Sequence, residues 1–205
     1  LIIYSFNNSR LVTVWDSNNS PTLKWYGALF HNTQIIDAAL LSMRVALTTG
    51  CGAVILGTLA GLVLARFGRF RGRTLLSVMT TAPLVMPEII TGLSMLLLFV
   101  ALQQLADALF GSSFNRGITT LTLAHITFSV SYVTVIVRSR LANFDDSLEE
   151  AALDLGARPA KVFWRITLPL IMPAIISGWL LAFTLSWDDV VISQFVSGPG
   201  SSTLP

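Results

Sequence analysis

The feature that most constrains this chain is the uncharged segment at residues 45–65, which reads VALTTGCGAVILGTLAGLVLA. A helix of this length, at about 1.5 Å per residue, crosses the roughly 30 Å hydrocarbon core of a bilayer. Hydrophobic residues also make up 53% of the 205 residues, whereas charged residues make up only 12%. Because backbone groups inside a bilayer must bond to one another, the sequence predicts an all-α, multi-pass membrane protein.

Small side chains recur at every fourth position of this segment, at Ala53, Gly57, Gly61 and Ala65. Residues spaced by four lie close together on one face of a helix. A stripe of small residues allows a second membrane helix to approach closely. We therefore expect this face to pack against another span.

Three further apolar segments, at residues 75–102, 118–137 and 170–186, are expected to span the membrane. The first of them contains Pro83 and Pro87. Each proline removes a backbone donor and disfavours helix in the residue before it. This span is therefore expected to be broken or kinked near its middle.

Basic residues indicate the orientation, because Lys and Arg accumulate on the cytoplasmic side. Most of the 13 Lys and Arg residues fall between spans in loops of one side. These are Arg66, Arg69, Arg71, Arg73, Arg138, Arg140, Arg158, Lys161 and Arg165. The polar segment 7–32 and the turn at 110–117 are then expected outside.

A polar segment at residues 145–169 separates the last two spans on the predicted cytoplasmic side. Asp146 or Ser147, followed three residues later by Glu149 or Glu150, is a capping-box pattern that begins a helix.

Gly156 is suited to end that first helix, and Pro159 to begin a second one, which Leu168 and Pro169 are expected to close. The pattern predicts a helix-turn-helix hairpin. An amphipathic linker lying on the headgroups is the alternative.

The spacing within this hairpin resembles the EAA loop of permease subunits of bacterial ABC importers. In that family, the loop docks on the ATPase subunit and transmits its closure to the spans. The resemblance implies these ATPase-coupling residues: Glu150, Ala151, Ala152, Gly156, Ile166, Leu168 and Pro169.

The resemblance covers nearly the whole chain, including RFGRFRG, TAPLVMPEIITGLSMLLLFVAL, LIMPAIISGWLLAFTLSWDD and FVSGPGSSTLP. These segments look like polyamine importer permeases, most closely the putrescine permeases. One departure is Trp187, where an aliphatic residue is expected. The resemblance implies the helical bundle of a type I ABC importer permease, with residues 1–205 as a single transmembrane domain. Members commonly have six spans, so this chain is expected to lack most of the first and all of the last.

The resemblance also implies partners: a second homologous permease subunit, two ATPase subunits, a periplasmic substrate-binding protein and the bilayer of the bacterial inner membrane. The chain contains no GxxxxGK[ST] motif, so ATP and magnesium are expected on the ATPase subunits. No cofactor, metal site, catalytic residue or nucleic-acid contact is assigned to this chain, which is expected to be a transport subunit rather than an enzyme.

A path for an ammonium ion needs carboxylates, because the cation loses several kcal/mol of solvation unless it is paired. The spans offer Glu88 beside the Pro87 break, expected near mid-membrane, and Asp188 and Asp189, expected near the external end of the last span. Glu88 can instead cap a half-helix, and the aspartates can simply be solvated. His125 is expected to form an interhelical hydrogen bond.

Other functions stay open on the sequence alone. Spermidine, thiamine, ferric iron and sulfate are alternative solutes, and an ATP-independent channel or carrier is a further class. An intramembrane enzyme using Ser94 or His125 is disfavoured, because the second Gly of a nucleophile elbow is absent and spacing places no base.

Overall fold

The computed structural model describes residues 2–9, 15–16, 20–111, 116–198 and 203. Helices form nearly all of this part of the chain, with short turns between them. They are α1 Lys24–His31, α2 Thr33–Arg66, α3 Arg73–Val85, α4 Glu88–Phe110, α5 Ile118–Ala142, α6 Ser147–Asp154, α7 Pro159–Val162, α8 Leu168–Trp187 and α9 Val191–Val196. A 3₁₀ turn, Ile3–Phe6, precedes them, and a π-helical turn, Phe163–Thr167, joins α7 to α8.

Within the described residues, four helices are long and apolar enough to cross a membrane: α2, most of α4, α5 and the continuous helix Pro159–Trp187. The all-α, multi-pass prediction is thereby confirmed. The segment read as an external loop contains the short helix α1, and the Trp25 indole N–H donates to the carbonyl of Asn7 at 2.9 Å. Residues 112–115 of the predicted external turn lie outside the described residues.

The centre of the bundle is the contact of α2 with α5, to which α8 adds a third helix. A Cβ added at Gly57 would lie 2.6 Å from Cβ of Val133, and one added at Gly61 would lie 3.1 Å from Cβ of Val137. Ala53, one turn earlier, is fully buried. The predicted stripe of small residues therefore packs against α5.

The break in the second apolar segment falls at Pro87. Met86 is extended, with φ −76° and ψ 136°, as expected for a residue before proline. Pro83 stays inside α3, which ends two residues later at Val85. The helix after the break runs to Phe110, beyond the predicted end at 102.

The first half of the hairpin at residues 145–169 has the predicted geometry. Gly156 is left-handed, with φ +82°, and its N–H donates to the carbonyl of Leu153 at 2.9 Å. The N–H of Ala157 donates to the carbonyl of Ala152 at 3.0 Å, which completes a Schellman cap. Pro159 begins the next helix.

The predicted end of the hairpin at Leu168 and Pro169 is wrong. The helix continues from α7 through the π turn into α8. The N–H of Leu168 donates to the carbonyl of Phe163, five residues back, so the bonding pattern already shifts before the missing donor of Pro169. The second arm of the hairpin is therefore the first part of the long helix that runs to Trp187.

Gly57→Ala is expected to destabilise the bundle by about 1–3 kcal/mol, because the new Cβ overlaps Val133. Gly27→Ala is the matched control: Gly27 also lies in a helix, but no atom of the described residues lies within 4 Å of its added Cβ. Thermal unfolding in detergent checks both variants. Equal melting temperatures for the two would contradict the close packing of α2 and α5.

Candidate functional site: an acidic cavity and a cytoplasmic hairpin

A cavity of about 730 Å³ opens beside the connection between α8 and α9. Three carboxylates line it: Glu88, Asp188 and Asp189. The sequence placed Glu88 and the two aspartates at different depths, and the structure brings them to one cavity. Glu88 is the first residue of α4 and Asp188 directly follows α8, so the ends of two interrupted helices meet here.

Glu88 is exposed to the cavity and lies in the first turn of α4. The positive end of a helix dipole favours a carboxylate at this position. Glu88 can therefore stabilise the start of α4 and line the cavity at the same time. Asp188 is also exposed and lines the cavity directly after α8.

Asp189 is more enclosed, since only 9% of its side chain is exposed. Its Oδ1 accepts the N–H of Ile192 at 3.0 Å, and its Oδ2 lies 3.6 Å from Nε2 of His125. Asp189 lies outside the span helices, in the connection before α9. Burial, reinforced by nearby Glu88, raises the pKa of Asp189 to about 6.

His125 of α5 joins three helices below this carboxylate. Nδ1 of the imidazole lies 2.7 Å from Oγ of Ser186, at the end of α8, and Nε2 lies 3.2 Å from Oγ of Ser193 in α9. The predicted interhelical hydrogen bond is confirmed. Both ring nitrogens are engaged, so His125 holds the α8–α9 connection in place.

Aromatic rings also line the acidic cavity. Phe128, Phe183 and Trp187 line the cavity. Trp179, Phe183 and Trp187 stack along α8, with centroid distances of 5.5 and 6.1 Å between successive rings. Phe183 was missed from the sequence, although its spacing of four residues from Trp179 and from Trp187 indicates a shared helix face.

The hairpin at residues 145–169 exposes large apolar side chains. Leu155 is 89% exposed and Trp164 is 67% exposed. Of the residues implied by the EAA resemblance, Glu150, Ala151, Gly156 and Pro169 are exposed, whereas Ala152, Ile166 and Leu168 are partly buried. The structure therefore divides this set into a surface part and a part that packs toward the bundle.

The predicted capping box of α6 is wrong. Asp146 is the N-cap residue, but its side chain makes no capping hydrogen bond. Asp146 and Glu149 instead bond to the guanidinium of Arg66. Asp145 accepts the N–H of Ser147 at 3.0 Å, and hydrogen bonding to Ser147 lowers the pKa of Asp145.

Comparison with known proteins adds to this geometry. Residues 54–205 match the family described as binding-protein-dependent transport system inner membrane component. The whole chain is 58% identical to the putrescine transport system permease protein PotI of Escherichia coli (strain K12), of which it covers 70%. It is 40% identical over its whole length to the spermidine/putrescine transport system permease protein PotC of the same organism, of which it covers 72%.

Among solved structures, an amino acid ABC transporter crystallised with histidines is similar in fold, with a TM-score of 0.56 and 17% sequence identity. The alignment covers 82% of this chain and 75% of that chain. This likeness concerns the helical bundle alone.

His125→Leu is expected to lower stability by about 1–3 kcal/mol for each hydroxyl left unpaired, at Ser186 and at Ser193. His31→Leu replaces the other histidine of the chain, which is exposed, and should change stability by less than about 0.5 kcal/mol. Thermal unfolding of the purified protein measures both. A His125 variant as stable as the His31 variant would show that the buried network is dispensable.

Proposed function

Because the chain belongs to the family of binding-protein-dependent transport system inner membrane components, we propose that it is the permease subunit of an ATP-driven polyamine importer. Putrescine is the main substrate in this proposal. The protein is a multi-pass transport subunit of the inner membrane, not an enzyme. The observation that supports a polycation as substrate is the cavity with three carboxylates.

Two ammonium groups need two or more anionic partners once they leave water, since unpaired charges are costly in a low-dielectric site. Glu88, Asp188 and Asp189 supply that charge within one cavity. The faces of Phe183 and Trp187 can add cation–π contacts, and their apolar area suits a methylene chain. The cavity thus combines the two recognition elements that an aliphatic diamine requires.

Spermidine is the second candidate. The relative that is 40% identical is named for spermidine and putrescine, and a third carboxylate can pair with a third ammonium group. Uptake competition among diamines, triamines and unrelated solutes in the complete complex separates these candidates.

The other subunits of the proposed importer are a second homologous permease, two ATPase subunits that bind ATP and magnesium, and a periplasmic binding protein. The exposed hairpin supports the docking of an ATPase, because Leu155 and Trp164 expose large apolar area to the cytoplasmic side, next to the charge of Glu150. Exposed apolar patches of this kind mark interaction sites. In the proposal, ATP-driven closure of the partners moves α6 and, through it, the spans.

Glu88→Gln and Asp189→Asn are each expected to lower putrescine uptake by about tenfold. Each variant loses one charge contact with the substrate, and a contact of about 1.4 kcal/mol corresponds to a factor of ten. Assembly with the ATPase subunits should be unchanged. Asp107→Asn is the matched control, because Asp107 is an exposed carboxylate of the same helix α4 that does not line this cavity. Uptake equal to wild type in both cavity variants would refute the assignment of the pathway.

Gly156→Trp is expected to insert into the membrane but to lose the ATPase subunits. A residue with a Cβ strains the left-handed backbone, and the indole ring would obstruct the proposed docking surface. Glu150→Lys should weaken assembly by reversing a charge on the same surface. Gly72→Trp is the control: Gly72 is also left-handed, with φ +94°, but lies in the loop before α3. Co-purification of the ATPase measures assembly, and full retention by the two hairpin variants would contradict docking at α6.

A further inference from the structure

Arg66, the last residue of α2, lies at the centre of a polar cluster on the cytoplasmic side. Its Nη2 donates to Oε1 of Glu149 at 2.9 Å, and its Nη1 donates to Oδ1 of Asp146. The ring of Phe144 lies 5.0 Å from the guanidinium carbon, a cation–π contact. A planar guanidinium held in this way by two carboxylates has a defined orientation.

Glu149 also connects to the last span. The same Oε1 atom accepts the hydroxyl of Thr167, which is buried at the end of the π turn. The residue after Thr167 is the first of α8. One carboxylate of α6 therefore holds both the cytoplasmic end of α2 and the beginning of α8.

The hydrogen bonds of Arg66 connect α6 to α2 across a gap between the helices. A cavity of about 230 Å³ lies between these elements, and Leu62, Arg66, Glu149, Phe163 and Thr167 are among its lining residues. The helix α6 packs mainly against α7 and the π turn. The bonds of Arg66 thus supply the directional link between α6 and α2.

Both helices that leave this cluster reach the acidic cavity. Met43 of α2 lines that cavity, and Asp188 follows the last residue of α8. The two helices also pack closely between these points, since a Cβ at Gly50 would lie 3.0 Å from Nε1 of Trp179. A displacement applied to their cytoplasmic ends is therefore carried along rigid, packed elements to the cavity walls.

We propose that Arg66, Glu149 and Thr167 form a positioning junction that couples movement of α6 to α2 and α8 together. This inference rests on the proposed function, because it takes α6 as the element that the ATPase moves. Partly exposed ion pairs contribute little to folding stability. Removing the Arg66 pair should therefore leave the fold and ATPase docking intact and impair only the transmission of movement.

The test uses the complete complex in proteoliposomes and measures solute transported per ATP hydrolysed. Arg66→Gln and Glu149→Gln are expected to lower this ratio by about tenfold, within the range of typical coupling energies, while ATPase co-purification stays at the wild-type level. Thr167→Val, which is nearly isosteric and keeps the ion pairs, should lower it by about threefold. Arg69→Gln is the matched control, because Arg69 is an exposed arginine in the loop directly after α2. Its ratio should equal that of the wild type.

The double variant Arg66→Glu with Glu149→Arg exchanges the two charges. Its ratio of solute transported to ATP hydrolysed should be higher than that of Arg66→Gln or Glu149→Gln alone. If Arg66→Gln assembles and has a wild-type ratio, the junction proposal is overturned. If Arg66→Gln does not assemble, a wild-type ratio in Thr167→Val overturns it. The ratio is compared with wild type for whichever solute the complex transports. Failure to take up polyamines therefore counts against the proposed substrate, whereas an unchanged ratio counts against the junction alone.

Discussion

The close contact of α2 with α5 is the constraint on which the rest of the structure depends. Within a bilayer, lipid tails are as apolar as side chains, so helices associate through van der Waals packing and interhelical hydrogen bonds. Gly57 and Gly61 bring the α2 backbone against Val133 and Val137, where any larger side chain would overlap. This contact fixes a rigid frame, and α8 packs along it. The polar parts of the protein lie where that frame is interrupted.

Two interruptions create the site. Pro87 separates α3 from α4, and a short connection separates α8 from α9. Non-helical backbone in a membrane protein is tolerated where it lies within protein or lines a polar cavity. Both interruptions carry carboxylates, Glu88 at one and Asp188 and Asp189 at the other, and His125 secures the second by bonding to α8 and α9. An acidic cavity therefore arises from helix ends that a continuous bundle would not have.

Local patterns in the sequence were sufficient for much of this. The stripe at Gly57 and Gly61, the left-handed turn at Gly156 and the hydrogen bonds of His125 all follow from neighbouring residues or from the cost of burying a polar group. The meeting of Glu88 with Asp189 could not be predicted in this way, because periodicity says which residues are helical but not where distant helix ends meet. The capping box failed for the same reason: Arg66, far away in the chain, takes the carboxylates that a local pattern assigns to the α6 backbone. The continuation past Pro169 depends on a π turn, for which propensities give no signal.

In the proposed importer, ATPase subunits outside this chain act on the hairpin at residues 145–169 and thereby control the acidic cavity. The most direct test is accumulation of labelled putrescine by proteoliposomes that contain the complete complex and its binding protein. If ATPase subunits drive the transport, putrescine accumulates against its concentration gradient only when ATP is present, and accumulation stops when a non-hydrolysable analogue replaces ATP. Equal uptake with and without ATP, ending when the two sides equilibrate, would contradict it and indicate a channel or an ATP-independent carrier.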